Sequence, residues 1–143
     1  MRGFVQLRDT GRPAIVYGRP CKEDDLEHEV MVAEVEILLG WRLERGVKVG
    51  KTFPDGVAEH RGQRFFLEVD YSGKMTVRKQ MPSKWRRYGK IDGLILVVAM
   101  TEARMQRLRR HGEIVKGNAL FTTFARLRAG QPCLDFKGEE VNI

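Results

Sequence analysis

Residues 53–70 read FPDGVAEHRGQRFFLEVD, and this stretch decides the fold. Arg61-Gly62 near its middle is a turn signal between two β-prone runs, which predicts a β-hairpin. A two-residue turn there places Asp55 opposite Glu68, and a four-residue loop keeps the same pairing. Asp70 lies two residues beyond Glu68 and faces the same side of its strand. We therefore expect three carboxylates to converge on one face. The side chains on the opposite face, expected in the core, are those of Phe65, Leu67 and Val69.

Converging carboxylates repel one another, since like charges directly opposite each other destabilise a sheet. A bound cation removes this cost, and carboxylate oxygens suit Mg²⁺ or Mn²⁺. Asp55, Glu68 and Asp70 are accordingly candidate metal ligands. The alternative is a solvent-exposed sheet edge that carries scattered acids and no metal. Spacing alone leaves both interpretations open.

On either side of this hairpin, strand and helix signals alternate. A helix is predicted to begin at Asp24-Asp25 and to end at Gly40, and residues 94–100 read as a strand buried on both faces. The pattern predicts an α/β fold with an antiparallel start and a βαβ-like finish. The other expected elements are strands over 4–7 and 14–17, an extended segment over 41–49, helices over 75–88 and 101–110, a strand over 119–127, and then loop.

The composition describes a soluble globular chain with an excess of positive charge. Its 143 residues allow one ordinary domain, and the net charge of +7 favours a polyanionic partner. Residues 74–90 contain many lysines and arginines and no acidic residue, and further arginines lie within residues 104–110. The longest apolar run is too short to span a membrane, and residues 1–4 do not begin an apolar segment of the kind found in secretory leaders, so we expect a cytoplasmic protein that does not associate with a membrane. Cys21 and Cys133 are expected to be free thiols.

Pro54-Asp55, twelve intervening residues and Glu68-Val69-Asp70 resemble the motif of the PD-(D/E)XK nuclease superfamily. The chain is most similar to one branch, the replication-relaxation proteins of bacterial plasmids and phages. Further similarity to that branch lies in residues 25–28, 84–88, 94–98 and 120–123. Those proteins usually carry an upstream winged-helix domain, and residues 4–17 resemble the end of its wing. This divides the chain into a wing-like hairpin over 1–20 and a nuclease-like domain over 21–143.

The resemblance implies a restriction-endonuclease-like fold, a mixed central sheet flanked by helices that follows the N-terminal β-hairpin. It implies Asp55 and Glu68 as metal ligands, sometimes joined by an acid of the first helix, for which Glu34 is the first choice and Glu29 the second. The superfamily has a lysine two residues after the glutamate, where it orients the attacking water and offsets charge on the phosphate. This chain has Asp70 there. Asp70 could hold a second cation, or a lysine could come from the following helix. The candidates for that lysine are Lys74, Lys79 and Lys84.

Residues 84–88, KWRRY, interleave bases with aromatics, as surfaces that bind nucleic acids do. We expect Trp85 and Tyr88 to pack inward rather than to stack on bases. His28 is expected to be a hydrogen-bonded structural histidine, with orientation of an active-site acid as the alternative. The predicted phosphate-binding residues are Lys84, Arg86, Arg87, Arg104 and Arg107.

The sequence thus predicts a DNA-binding protein that hydrolyses phosphodiester bonds with Mg²⁺ or Mn²⁺ and serves plasmid or phage replication. Asp55, Glu68, Asp70 and Lys74 are its candidate catalytic residues. The alternative is a nuclease fold retained for DNA binding after catalysis was lost, which the missing lysine favours. Cleavage of both strands of a duplex takes two sites, so a homodimer is compatible with this function.

Overall fold

The structure, a computed structural model, describes residues 2–6, 13–17, 23–71, 77–111 and 117–143. Helices and strands alternate along most of this length. Their bounds are β1 Arg2–Gln6, β2 Pro13–Tyr17, α1 Glu23–Leu39, β3 Gly56–His60, β4 Gln63–Asp70, α2 Val77–Tyr88, β5 Leu94–Ala99, α3 Glu102–Arg110, β6 Ala119–Thr123, α4 Phe124–Arg128, β7 Cys133–Leu134 and β8 Glu140–Val141.

The described strands form two sheets. β1 and β2 make an antiparallel hairpin, as the sequence predicts. The remaining strands form a six-stranded sheet in the order β3-β4-β5-β6-β7-β8. β4, β5 and β6 are parallel, and the other neighbours pair antiparallel. The fold is therefore mixed α/β, with a six-stranded mixed sheet flanked by helices.

The turn between β3 and β4 confirms the predicted hairpin register. Arg61 and Gly62 both have positive φ, 51° and 77°, as a tight two-residue turn requires. His60 pairs with Gln63, and the ladder continues to the Gly56–Leu67 pair. The positions of Asp55 and Glu68 along the two strands therefore follow from the turn.

Side chains from the two faces of the sheet enter two separate cores. On one face, Phe65, Leu67 and Val69 of β4 pack with α1 and α4, which confirms the predicted alternation. On the other face, Phe66 packs with aromatic and aliphatic residues of α2 and α3. β5 contributes to both cores, as expected for a strand buried on both sides. The face that carries Glu68 is therefore covered by helices and is not an open edge.

Three expectations about the secondary structure are wrong. Residues 41–49 form only isolated bridges, Glu44 with Val57 and Val49 with Thr52. The strand expected over 119–127 ends at Thr123, whose hydroxyl accepts from Arg126 N–H at 3.1 Å and caps α4. The segment expected to be loop contains β7 and β8, because the sheet continues beyond β6 through short antiparallel pairs.

Helix ends follow local capping chemistry closely. α1 ends before Gly40, which has a φ of +65°, and α3 begins after Thr101, whose hydroxyl accepts from Arg104 N–H at 3.2 Å.

Within the described residues, no helix combines the length and apolar character that crossing a membrane requires.

Candidate functional site

Asp55 extends the hydrogen bonding between β3 and β4 by one residue beyond the start of β3. It lies in a bend directly before β3, and its amide donates to Leu67 O at 2.9 Å. Its Oδ2 atom accepts from Val69 N–H at 2.7 Å. A side-chain carboxylate thus takes the hydrogen bond that a further β3 residue would otherwise make. Asp55 is held against the edge of β4 by the strand geometry itself.

His28 contacts Asp55 from α1, the helix that packs in the core with Phe65, Leu67 and Val69. Its Nε2 atom lies 3.3 Å from Asp55 Oδ2 and 3.3 Å from Val69 O. The hydrogen bond to Asp55 raises the pKa of His28 above its usual range, although partial burial opposes this shift. Of the two roles expected for His28, the contacts match orientation of an acid, and they also hydrogen-bond the ring to the backbone.

Glu68 is a buried carboxylate with two side-chain partners from α2. The residue is only 3% exposed. The Tyr88 hydroxyl donates to one carboxylate oxygen, and the Lys84 ammonium pairs with the other. Burial raises the pKa of Glu68, and the charge of Asp55 adds to the shift, while Lys84 and Tyr88 oppose it. The same surroundings, with burial first, raise the pKa of Tyr88. The charges of Asp55 and Lys84 thus act on Glu68 in opposite directions.

Among the described residues, Lys84 is the candidate lysine that contacts the acidic site. Its side chain is 26% exposed, so the ammonium lies between Glu68 and solvent. Lys74 and the side chain of Lys79 lie outside the described residues. α2, which covers the face of the sheet that carries Glu68, therefore supplies a positive charge at this carboxylate.

Asp70 does not join the other two carboxylates. Arg104 of α3 binds it bidentately, with Nε 2.5 Å from Oδ2 and Nη2 3.1 Å from Oδ1. This contact raises the pKa of Arg104. Asp70 does face the same side as Glu68, as predicted, but its charge is already neutralised by an arginine from the core-facing helix. The expected convergence of three carboxylates is thus not found: Asp55 contacts α1, Glu68 contacts α2 and Asp70 contacts α3.

The helix acids named as possible ligands have partners of their own. Glu34 pairs with Arg128 of α4, and it lies roughly 9 Å further along the α1 axis than His28. Glu29 pairs with Arg45 at 3.1 Å, and Arg45 also donates to Asp55 O at 2.5 Å. Arg45 therefore links Glu29 to the backbone of Asp55, and of the two helix acids Glu29 is the one connected to the site.

The donor set suits a hard cation that keeps part of its water shell. Among the described residues, no group of three or more His, Cys, Asp or Glu side chains is arranged to hold a metal ion. Mg²⁺, however, commonly takes only one or two protein carboxylates and completes its shell with water and substrate phosphate. Asp55, directly before β3, and Glu68 of β4 are two such carboxylates.

The predicted phosphate-binding residues divide into two groups. Lys84 and Arg104 are engaged by buried acids, whereas the side chains of Arg86, Arg87 and Arg107 are exposed. Trp85 and Tyr88 are each 1% exposed, which confirms that they pack inward. Among the described side chains of α2, the exposed basic ones are therefore Arg86 and Arg87, and the aromatic rings next to them point into the core.

The sequence pattern does not indicate the role of Tyr88 or the exposure of Phe53. It predicts Tyr88 as a packing or stacking residue, yet the Tyr88 hydroxyl binds Glu68. Its position one helical turn after Lys84 was the available signal, since residues four apart share a helix face. Phe53, directly before the Pro54-Asp55 motif, is 62% exposed. No local pattern distinguishes an exposed phenylalanine from a buried one.

In comparisons with known proteins, no family model matches the chain, and neither a curated protein nor a solved structure is significantly similar to it.

Proposed function

We propose that this protein is a Mg²⁺- or Mn²⁺-dependent DNA phosphodiesterase of the restriction-endonuclease-like class, whose lysine comes from a helix. One observation carries the proposal: Lys84 contacts Glu68, which interacts with Asp55. An acid directly before one strand, an acid on the next strand and one lysine are the groups that the superfamily resemblance calls for. Involvement in plasmid or phage replication rests on that resemblance alone.

Each group has a distinct task in this proposal. Asp55 and Glu68 would hold the ion, which on binding lowers the pKa of a water molecule and stabilises negative charge on phosphate. Lys84 keeps a positive charge beside Glu68 and can offset charge that develops on the scissile phosphate. His28 and the Val69 amide position Asp55, and Tyr88 positions Glu68.

Cleavage of DNA tests the proposal directly. We expect the protein to cut duplex, branched or single-stranded DNA with Mg²⁺ or Mn²⁺, and EDTA to stop the reaction. Asp55→Asn should lower the rate at least about 100-fold, because it weakens metal binding worth several kcal/mol in the transition state. The asparagine oxygen can still accept from Val69 N–H, so the fold should survive. Asp92→Asn is the matched control, since Asp92 is 81% exposed and its only described partner is Arg64, at 3.5 Å.

Metal binding has its own readout. Mn²⁺ should raise the melting temperature of the wild type and leave that of Asp55→Asn unchanged, because a ligand that binds only the folded state stabilises it. A wild type indifferent to both metals that also cleaves no DNA form would overturn the enzyme proposal.

A DNA-binding module without catalysis is the second candidate, and the burial of Glu68 favours it. A metal would have to reach a carboxylate that Lys84 and Tyr88 already engage. Under this proposal the basic surface has the same role, and only the cleavage and metal responses are lost.

Binding to duplex DNA should depend on salt through the exposed arginines. We expect the logarithm of the affinity to fall linearly with the logarithm of salt concentration, by about 0.9 for each phosphate contacted. Arg86→Ala/Arg87→Ala should flatten this slope. The matched double variant Arg42→Ala/Lys137→Ala removes two exposed charges elsewhere and should leave the slope unchanged. Equal slopes in the two variants would exclude the α2 arginines from the interface.

A further inference from the structure

Phe53 is an exposed aromatic residue beside the acidic site. Its side chain is 62% exposed, whereas Trp85 and Tyr88 are almost completely buried. It precedes Asp55 by two residues, so the two Cα atoms lie within about 7 Å of each other. Exposure of a phenyl ring costs hydrophobic free energy that packing would otherwise recover. Because Phe53 is close to Asp55 in the chain, a molecule bound at the acidic site could contact the ring.

The backbone on both sides of Phe53 is anchored. Val49 and Thr52 exchange backbone hydrogen bonds at 2.9 and 3.0 Å. Pro54 is buried, and Asp55 is bonded to β4 and to Arg45. The ring is therefore presented from a held position, which reduces the entropy lost when a ligand packs on it.

The same segment lies against the C-terminal end of α2. Lys51 N–H donates to Arg87 O at 2.7 Å. Gly50 has a φ of +58°, and a Cβ atom there would overlap the carbonyl oxygens of Arg87 and Tyr88, so this close approach needs glycine. The contact places Lys51 beside the arginines of α2.

Cationic side chains lie on the segment that carries Phe53 and on the end of α2 that this segment contacts. The side chains of Lys51, Arg86 and Arg87 are exposed, and none of them has an acidic partner among the described residues. Lys51 is two residues before Phe53, again within about 7 Å between Cα atoms. Cationic side chains that follow a backbone, together with an exposed aromatic ring, are the features that bind single-stranded nucleic acid.

We propose that Lys51, Arg86, Arg87 and Phe53 form a binding surface for single-stranded DNA, with the Phe53 ring stacked on an unpaired base beside the acidic site. This inference rests on the proposed function and names its substrate class, DNA that presents unpaired bases at the point of cleavage. In a duplex the base faces are already stacked on one another, so the ring has no base face to contact and only the cations can bind.

Equilibrium binding in EDTA tests the surface without cleavage. Labelled single-stranded and duplex oligonucleotides are titrated with wild type and with Phe53→Ala, Phe53→Leu and Phe53→Trp, at one fixed salt concentration. We expect Phe53→Ala and Phe53→Leu to weaken single-strand binding roughly 5- to 150-fold, the effect of losing one stacked base. Phe53→Trp should retain the affinity, and duplex binding should change less than twofold. Ile37→Ala is the control, because Ile37 is 79% exposed on α1.

A base analogue reports stacking itself. The fluorescence of 2-aminopurine in the single strand should be quenched by the wild type and by Phe53→Trp, and should not be quenched by Phe53→Leu. Single-strand affinity that is the same in wild type, Phe53→Ala and Ile37→Ala would overturn the inference, even if the protein cleaves DNA. Loss of single-strand affinity in Phe53→Ala supports it, even if no metal-dependent cleavage is found.

Discussion

Lys84→Met is expected to lower the free energy of unfolding by about 3 kcal/mol near neutral pH in EDTA. The variant leaves Glu68 buried, with the Tyr88 hydroxyl as its remaining described partner. An uncompensated buried carboxylate either stays charged at a high desolvation cost or takes up a proton. Urea denaturation measures the loss. Lys48→Met, which changes an exposed lysine, should unfold at nearly the wild-type urea concentration.

The pH dependence of this variant identifies Glu68 as the cause. Burial already raises the pKa of Glu68 above its ordinary value of 4.5, and removal of Lys84 raises it further. An acid whose pKa is higher in the folded state favours folding when protonated, and this stability is lost as pH rises from about 4.5 through the raised pKa. The deficit of Lys84→Met should therefore be smallest in acid and grow with pH.

Lys84→Met/Glu68→Gln supplies the decisive comparison. The glutamine amide carries no charge that would be buried without a partner. The double variant should therefore be more stable than Lys84→Met near neutral pH and should lack the added pH dependence. Lys84→Met as stable as Lys48→Met at neutral pH would show that Lys84 and Glu68 are not paired.

Asp70→Lys is expected to cost about 3–5 kcal/mol of unfolding free energy. The substitution places the superfamily's usual residue at this position, but it breaks the bidentate contact with Arg104 and sets two cations together. The Asp70 and Arg104 side chains are 9% and 14% exposed, so little water is present to screen the repulsion. Thermal and urea unfolding both measure the loss.

A charge-reversed double variant distinguishes loss of the Asp70–Arg104 ion pair from the effect of placing a lysine at position 70. Asp70→Lys/Arg104→Glu restores opposite charges and should recover part of the stability. Asp92→Lys is the matched control, because an exposed pair contributes about 0–1 kcal/mol. If Asp70→Lys were as stable as the wild type, Asp70 and Arg104 would not be paired in solution. Only a folded Asp70→Lys protein can then be used to ask whether a strand lysine increases cleavage.

Local sequence determined most of the elements and the register of the central hairpin. A turn that needs two positive φ values leaves few choices at Arg61-Gly62, and once it forms, every pair from His60–Gln63 to Gly56–Leu67 follows. The alternation of β4 and the continuous apolar run of β5 then decide which side chains enter each core. Helix ends at Gly40 and Thr101 follow from residues that cap the backbone within one turn.

Local pattern failed where a short element depends on what it pairs with. β7 and β8 are two residues each, too short for any periodicity, and exist because β6 offers an unpaired edge. The two threonines before α4 favour a strand, and Thr123 does end one, but its hydroxyl then caps a helix. Both outcomes agree with the residue types, so composition could not choose between them.

The sequence by itself placed Asp55, Glu68 and Asp70 at one end of a hairpin, because strand alternation is a local property. Only the tertiary structure decided what each acid contacts: His28 of α1 at Asp55, Lys84 and Tyr88 of α2 at Glu68, and Arg104 of α3 at Asp70. These partners all lie 16 to 34 residues away in the chain, and they meet the acids because both faces of the sheet must be covered by helices. Desolvation under those helices then requires each buried carboxylate to have a partner, and that requirement changed three converging acids into three separately paired ones.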